Sequence, residues 1–389
     1  MSVLPLAVIG GGQLARMMAQ AAVGLGVPIR LLAEGPDVSA AQVVPDSTVG
    51  DHRDLADLRS VSEGCAVVTF DHEHVPTEHL LALVAEGHAC RPGPAALVHA
   101  QDKAVMRSRM ADLGVPGPRN RVVAEPQQVA DFADSVGGFP VVLKTTRGGY
   151  DGKGVWVVSS AEDSAPAFAA AASGVRILAE ERVDFRRELA ALVARSPSGQ
   201  VAAYQVVESV QRDGVCSEVT APAPDLDPGL AVQAQRIAMR VAGELDVTGI
   251  LAVELFETRD GRVLVNELAM RPHNTGHWSM DGAVTGQFEN HLRAVLDLPL
   301  GSPAARQPWS VMVNILGGDH GGLSEDLYGG YPHVFARDPF LKVHLYGKEV
   351  RPGRKVGHVT AYGEDLDDVR SRARHAAAWF RGDLGMESE

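Results

Sequence analysis

The sequence predicts an α/β and α+β multidomain protein: an N-terminal parallel βαβ domain, a small lid unit, a larger core, and a small C-terminal β-rich region. Three observations predict it. Short apolar runs alternate with helical stretches over about the first ninety residues, strand-like segments flank a glycine-rich loop after Phe139, and two long apolar strands meet at Asp260-Gly261. With 389 residues, 45% of them hydrophobic, the chain exceeds what one core accommodates.

Taken in order, the runs Leu6 to Ile9, Ile29 to Leu32 and Ala66 to Phe70 alternate with helical segments Gln13 to Leu25, Asp54 to Glu63 and Thr77 to Glu86. Strands separated by helices pair in parallel, which defines a first domain over 1–94. Pro92, Pro94, Pro116 and Pro118 bracket one helical segment from Ala95 to Leu113, giving a linker over 95–117. The lid, 118–183, reads as strands Pro140 to Thr145, Val155 to Ser159 and Ile177 to Glu180 with an alanine-rich helix. The core, 184–304, holds strands Glu188 to Ala194, Val201 to Glu208, Ile250 to Thr258 and Arg262 to Leu268, and a helix from Leu230 to Leu245. Region 305–389 adds two apolar runs, a basic turn from Arg351 to Lys355 and an amphipathic helix from Asp367 to Arg381.

Composition excludes several classes. Cys65, Cys90 and Cys216 have neither disulfide-framework nor CxxC spacing, which fits a reducing compartment. The N-terminus lacks the basic start of a signal peptide, and no apolar stretch reaches the roughly 18 residues of a membrane helix, so a soluble, cytoplasmic protein is expected. A net charge of −13 argues against a nonspecific nucleic-acid binder. Any phosphate must be held locally.

Two glycine-rich turns could hold one. Gly10-Gly11-Gly12-Gln13-Leu14-Ala15 fits GxGxxA after a strand, and Glu34 ends the second strand where a ribose-binding acid would sit. A tight β-to-α turn explains those glycines equally well, and so does an anion at the helix N-terminus. Lys144-Thr145-Thr146-Arg147-Gly148-Gly149-Tyr150-Asp151-Gly152-Lys153-Gly154 says more. Glycines let backbone amides approach phosphate oxygens, with lysine charge beside them, as a cover over a triphosphate requires.

The strongest local signal is Ile250 to Leu268. Asp260-Gly261 reads as a two-residue hairpin loop with Arg259 facing Arg262, and the same register sets Glu254 opposite Glu267. Apolar residues on both faces make these interior strands, where two adjacent carboxylates repel and require a hard cation such as magnesium. Asn266 adds a neutral oxygen beside them. Next comes Arg271-Pro272-His273-Asn274-Thr275-Gly276-His277-Trp278, where Pro272 and Gly276 indicate a substrate-contacting loop rather than a helical His–His metal site. The turn Lys348-Glu349-Val350-Arg351-Pro352-Gly353-Arg354-Lys355 reads as a solvated surface or, in so acidic a chain, a site for a terminal phosphate.

In this order, together with Thr69-Phe70-Asp71-His72-Glu73-His74-Val75-Pro76, the segments resemble the ATP-grasp superfamily over essentially the whole chain, and within it the members that carboxylate a purine-pathway ribotide. The first domain is then the pre-ATP-grasp unit. The resemblance implies ATP between lid and core, with Lys103 and Lys144 near its phosphates, Gly149 to Val155 (hence Tyr150, Asp151, Gly152, Lys153 and Gly154) above it, and Glu180, Glu181, Arg182 and Val183 along the adenine. Glu188 would bind the ribose, with Gln211 and Asn266 also toward the nucleotide. Glu254 and Glu267 would hold magnesium, with manganese as a substitute, and Lys144, Lys153 and Arg271 would be catalytic. Aminoimidazole ribonucleotide would contact Gln13, Leu14, Glu73, His273 and Asn274, with Lys348, Arg351, Arg354 and Lys355 on its phosphate.

The implied reaction phosphorylates bicarbonate with ATP and carboxylates the ribotide amine, in a cytoplasmic homodimer. Two positions depart from the pattern: Gln211 stands where relatives often have histidine, and Lys103 where arginine also occurs. The rival readings are a formate-transferring ATP-grasp enzyme acting on glycinamide ribonucleotide, and a nicotinamide-binding oxidoreductase or nucleotide sensor built on the first glycine turn.

Overall fold

A computed structural model describes residues 4–149, 153–171, 174–318 and 326–384, so the predicted loop positions Tyr150, Asp151 and Gly152 lie outside the described residues. Strands β1 (Leu6–Ile9), β2 (Ile29–Ala33), β3 (Ser47–Val49) and β4 (Val67–Phe70) form a parallel sheet in the order β3-β2-β1-β4. The helices Gln13–Leu25 and Leu55–Ser62 between them, and Thr77–Ala85 after β4, fall within a residue or so of expectation. Their ends carry familiar signals: Asp54 caps the second through the Ala56 amide, and Gly26 closes the first in the left-handed region.

The linker differs from expectation. It holds two helices, Pro94–Gln101 and Lys103–Asp112, broken at Asp102, whose carboxylate accepts from the Ala104 and Val105 amides. Asp102 is extended (φ −129°, ψ 109°), so its side chain starts the second helix rather than continuing the first.

The lid sheet comprises β5 (Asn120–Val123), β6 (Val141–Thr145), β7 (Val155–Val158) and β8 (Ile177–Glu181), antiparallel in the order β5-β8-β6-β7. Below it lies a nine-stranded sheet of β9 (Phe185–Arg195), β10 (Val201–Ala203), β11 (Val207–Arg212), β12 (Val215–Ala221), β13 (Gly249–Thr258), β14 (Val263–Ala269), β15 (Trp309–Leu316), β16 (Lys342–Leu345) and β17 (Lys355–Gly363). Its main path runs β14-β13-β9-β11-β12-β15-β17-β16, with β10 against β9. The expected strand Val201 to Glu208 is two strands, and β12, paired with β11 around Asp213-Gly214, escaped the sequence reading. The C-terminal strands thus extend the core's own sheet, since β12 pairs with β15 from Glu218↔Val313 to Ala221↔Ser310.

The expectation of two interior strands is half right. β13 is interior, but β14 ends the sheet. Its outer backbone is nevertheless satisfied: the Val265 amide donates to the Pro116 carbonyl, and Arg107 donates to the carbonyls of Val265 (2.7 Å) and Asn266 (2.8 Å). His291 joins the first domain to the core, with Nε2 2.9 Å from Thr69 Oγ1 and Nδ1 accepting the Ile250 amide at 3.1 Å. Burial pushes its pKa down to about 3, so it bonds as the neutral ring.

Candidate active site

The carboxylate pair arises from two departures that cancel. The turn is three residues long: Gly261, at φ +79°, donates to the Thr258 carbonyl, and Thr258 faces Arg262. The left-handed glycine closes the turn, which shifts the register by one from a two-residue loop. Arg259 therefore does not face Arg262, and it pairs with Asp184 instead (3.0 Å). A bulge at Asn266 then moves the register back, so that Leu255 faces Val265 but Glu254 faces Glu267, as expected. The bulge also brings the successive side chains of Asn266 and Glu267 to one cavity, which regular alternation would forbid.

Two adjoining cavities meet at this pair. The larger, about 1170 Å³, lies between lid and core and is lined by Lys144, Lys153, Gly154, Val155, Glu180, Glu181, Arg182, Val183, Glu188, Gln211 and Asn266. The smaller, about 550 Å³, opens toward the first domain and is lined by Gln13, Leu14 and Glu73. Both are lined by Lys103, Gly149, Glu254, Glu267, Arg271, His273, Asn274 and Lys355. Most predicted site residues converge here. Lys348, Arg351 and Arg354 line neither cavity; Arg351 pairs with Glu349 at the surface, while Lys348 reaches Gln13 Oε1.

Electrostatics divides the acidic groups. Burial, then the neighbouring Glu267 and Glu188, push Glu254 up to about 8, while His273 Nε2 stands 3.2 Å from it and Lys103 Nζ 3.8 Å from Glu267. Burial and the repulsion of Glu267 and Glu188 outweigh the nearby Lys355 and Arg271 at Glu254, which favours a hard cation, and the oxygens of Glu254, Glu267 and Asn266 are a donor set magnesium accepts. Glu180 is the opposite case. Burial would raise it, but Lys144 (2.7 Å) and Arg107 (2.5 Å) hold it down to about 2. The Glu180 carboxylate is thereby committed to fixing Lys144, which also donates to Asn266 Oδ1 at 3.1 Å.

The first glycine turn bears out the reading as a tight β-to-α turn: Gly10 stands at φ +103°, and a Cβ at Gly12 would lie 2.2 Å from Asp71 Oδ2. The Gly11 amide donates to Glu34 Oε2 (3.0 Å), and those of Gly12 and Ala15 donate to Asp71 (3.0 and 2.7 Å). Both the ribose-binding acid and the helix N-terminus are thus occupied from within the chain, leaving the side chains of Gln13 and Leu14 to face the cavity. Glu34 also gathers with His52 and His72. His72 Nδ1 accepts the His74 amide, which leaves the ring proton on Nε2, 3.6 Å from Glu34 Oε1, so that an N–H rather than a lone pair faces the carboxylate.

The loop after β14 is held by one buried residue. Gln287 Oε1 accepts the His273 amide (2.9 Å), and its Nε2 donates to the His273 carbonyl (2.8 Å) and His277 Nδ1 (2.8 Å). A Cβ at Gly276 would lie 2.7 Å from Gln287 Cδ and 2.7 Å from Leu192 Cδ2. Gly276→Ala should therefore cost about 1–3 kcal/mol of stability and raise the KM of whatever the smaller cavity binds. Urea unfolding and substrate titration measure the two effects, and an alanine variant unchanged in both would exclude this clamp.

Sequence reading missed Phe185 and Phe256, whose rings stack at 4.8 Å in the larger cavity. Alternation along β13 carried a signal for Phe256, two residues beyond Glu254 on the same face. Arg271 was expected, but its partner was not: Nε bonds Glu73 Oε2 at 2.7 Å, bridging core and first domain.

Family models agree with this layout. A ribonucleotide synthetase preATP-grasp domain matches residues 4–101, an ATP-grasp domain matches 108–288, and a phosphoribosylaminoimidazole carboxylase C-terminal domain matches 310–372. The chain is 55% identical over 379 residues to N5-carboxyaminoimidazole ribonucleotide synthase of Mycobacterium bovis, covering 96% of this chain and 87% of that one. An ADP complex of an N5-carboxyaminoimidazole ribonucleotide synthetase superposes with TM-score 0.87 at 33% identity, over 98% of this chain and 99% of that one. The Aspergillus clavatus synthase with ADP and 5-aminoimidazole ribonucleotide gives TM-score 0.87 at 29% identity, over 97% and 98% of the two chains.

Proposed function

This chain belongs to the N5-carboxyaminoimidazole ribonucleotide synthase family of ATP-grasp enzymes, and from that premise we infer how its residues divide the work. It is a ligase that uses ATP to carboxylate 5-aminoimidazole ribonucleotide. The observation that carries the residue assignment is the Glu254–Glu267 pair at the junction of the two cavities. ATP occupies the larger cavity and the ribotide the smaller, and the γ-phosphate, bicarbonate and ribotide amine meet between them.

The fixed charges support that division. Lys144, held by Glu180 and Asn266, presents an immobile ammonium to the phosphates, and Lys103 approaches from the helix start beside Glu267. Such preset charges stabilise the phosphoryl group as it transfers, with no reorganisation at the moment of reaction. Glu254 and Glu267, with the Asn266 oxygen beside them, would hold magnesium, which would neutralise charge at the phosphates. Lys153 stands at the lid side of the larger cavity. Arg271, fixed by Glu73, faces the junction as a cation for bicarbonate and the carboxyphosphate made from it.

The ribotide half relies on hydrogen bonds. Burial, then Arg271, push the His273 pKa well down, so it acts as a neutral ring beside Asn274. Gln13 and Leu14 position the base, while Lys355, with Lys348, Arg351 and Arg354 on the adjoining turn, draws the 5′-phosphate. No helix among the described residues is long and apolar enough to cross a membrane. A cytoplasmic homodimer completes the reading.

Phosphate release assayed with each ribotide and each one-carbon acid tests it. Release should require aminoimidazole ribonucleotide and bicarbonate together, whereas turnover only with glycinamide ribonucleotide and formate would reassign the chain to the formylating branch.

A further inference from the structure

The break between the two linker helices has a second consequence. Asp102 is 4% exposed, and each of its oxygens has a separate set of donors. Oδ1 accepts the amides of Ala104 (3.0 Å) and Val105 (3.2 Å), which starts the helix that carries Lys103. Oδ2 accepts Arg147 Nε (3.0 Å) and Arg176 (3.4 Å), which approach from the end of β6 and the start of β8. The backbone repeats the connection, with the Lys103 amide on the Thr146 carbonyl (2.8 Å) and the Thr146 amide on that of Arg176 (2.9 Å). Burial would raise the Asp102 pKa, but Arg147 and the helix amides hold it below the usual range.

We propose that Asp102 is a positioning residue that fixes the root of the glycine-rich loop and Lys103 in one frame, so that nucleotide meets a preset cradle. The inference rests on ATP occupying the larger cavity. A helix cap alone does not account for the geometry, because a cap uses one oxygen and this carboxylate uses both. Arg147 and Arg176 are about half exposed, and a surface ion pair between such groups contributes little on its own. Here they converge on one buried acceptor whose helix also presents Lys103 to Glu267.

Asp102→Asn separates the two roles, since asparagine caps a helix as well as aspartate but carries no charge for the arginines. The KM for ATP should rise about tenfold, the loss of one charge-assisted hydrogen bond, while the KM for the ribotide and the unfolding temperature stay unchanged. Trypsin should cut the nucleotide-free variant after Arg147 several times faster than the parent. Arg147→Gln, which leaves the cap untouched, should reproduce the KM shift, and the double variant should add nothing further. An unchanged KM for ATP in Asp102→Asn overturns the proposal, whether or not the unfolding temperature falls; so does an equal rise in both KM values. Absence of ATP turnover in the unaltered protein would instead remove the functional reading beneath it.

Discussion

Replacing Glu267 by Gln should lower ATP-dependent phosphate release about a thousandfold or more while leaving the fold intact. The size follows from losing several kcal/mol of charge stabilisation at the phosphates, each 1.4 kcal/mol being roughly a factor of ten. Stability should hold or improve slightly. Glu267 is partly exposed, and in the free protein its charge works against Glu254 across β13 and β14. Phosphate release and thermal unfolding on the same preparation separate the two effects. Turnover within about tenfold of the parent would deny the pair its role as metal ligands.

Glu180→Ala should be the most destabilising single change at the site. Arg107 and Glu180 are 3% and 2% exposed, so truncation leaves a guanidinium buried without its carboxylate, at a cost of about 3–5 kcal/mol at pH 7. Lys144 loses its 2.7 Å partner at the same time, so turnover should fall as well. The pH dependence has a definite sign. A carboxylate held at about 2 in the fold and near 4.5 when unfolded contributes fully above about 4.5 and loses that contribution as pH falls toward 2. Urea unfolding of the parent should therefore weaken across that acid window, and Glu180→Gln should weaken less steeply over it. A variant within about 1 kcal/mol of the parent at pH 7 would show that Arg107 is sustained by its carbonyl partners alone.

Legibility in the sequence depended on how local each determinant was. The helix Gln13–Leu25 could be bounded to the residue because its start and its left-handed glycine lie within the segment itself. Glu254 and Glu267 were found, yet the register that found them was one residue off at the turn and one residue off at Asn266, in opposite senses. No pattern within the hairpin announces that bulge. The groups that satisfy it lie far off in the chain: Arg107, more than 150 residues earlier, takes the successive carbonyls of Val265 and Asn266 at the bulge. Asp102 was unreadable for a similar reason: nothing in Ala95 to Leu113 reveals that this carboxylate is buried and collects the arginines at 147 and 176. The Gln13 turn was ambiguous because glycines advertise only space, and it took Asp71 and Glu34 in place to show that the chain fills that space itself.

The shared sheet has a consequence for synthesis on the ribosome. β12 emerges long before β15, so the core sheet presents an unpaired edge from Val215 to Ala221 until residues past Leu316 have left the exit tunnel. Glu218, buried on that edge, waits longer still for Arg370 and Arg374 of the last helix. A nascent chain halted near residue 305 is therefore a template for wrong strand pairing rather than a smaller working enzyme. For the same reason the last family segment is not a portable cassette: any chimera spliced between 288 and 310 must match two halves of one hydrogen-bonded ladder.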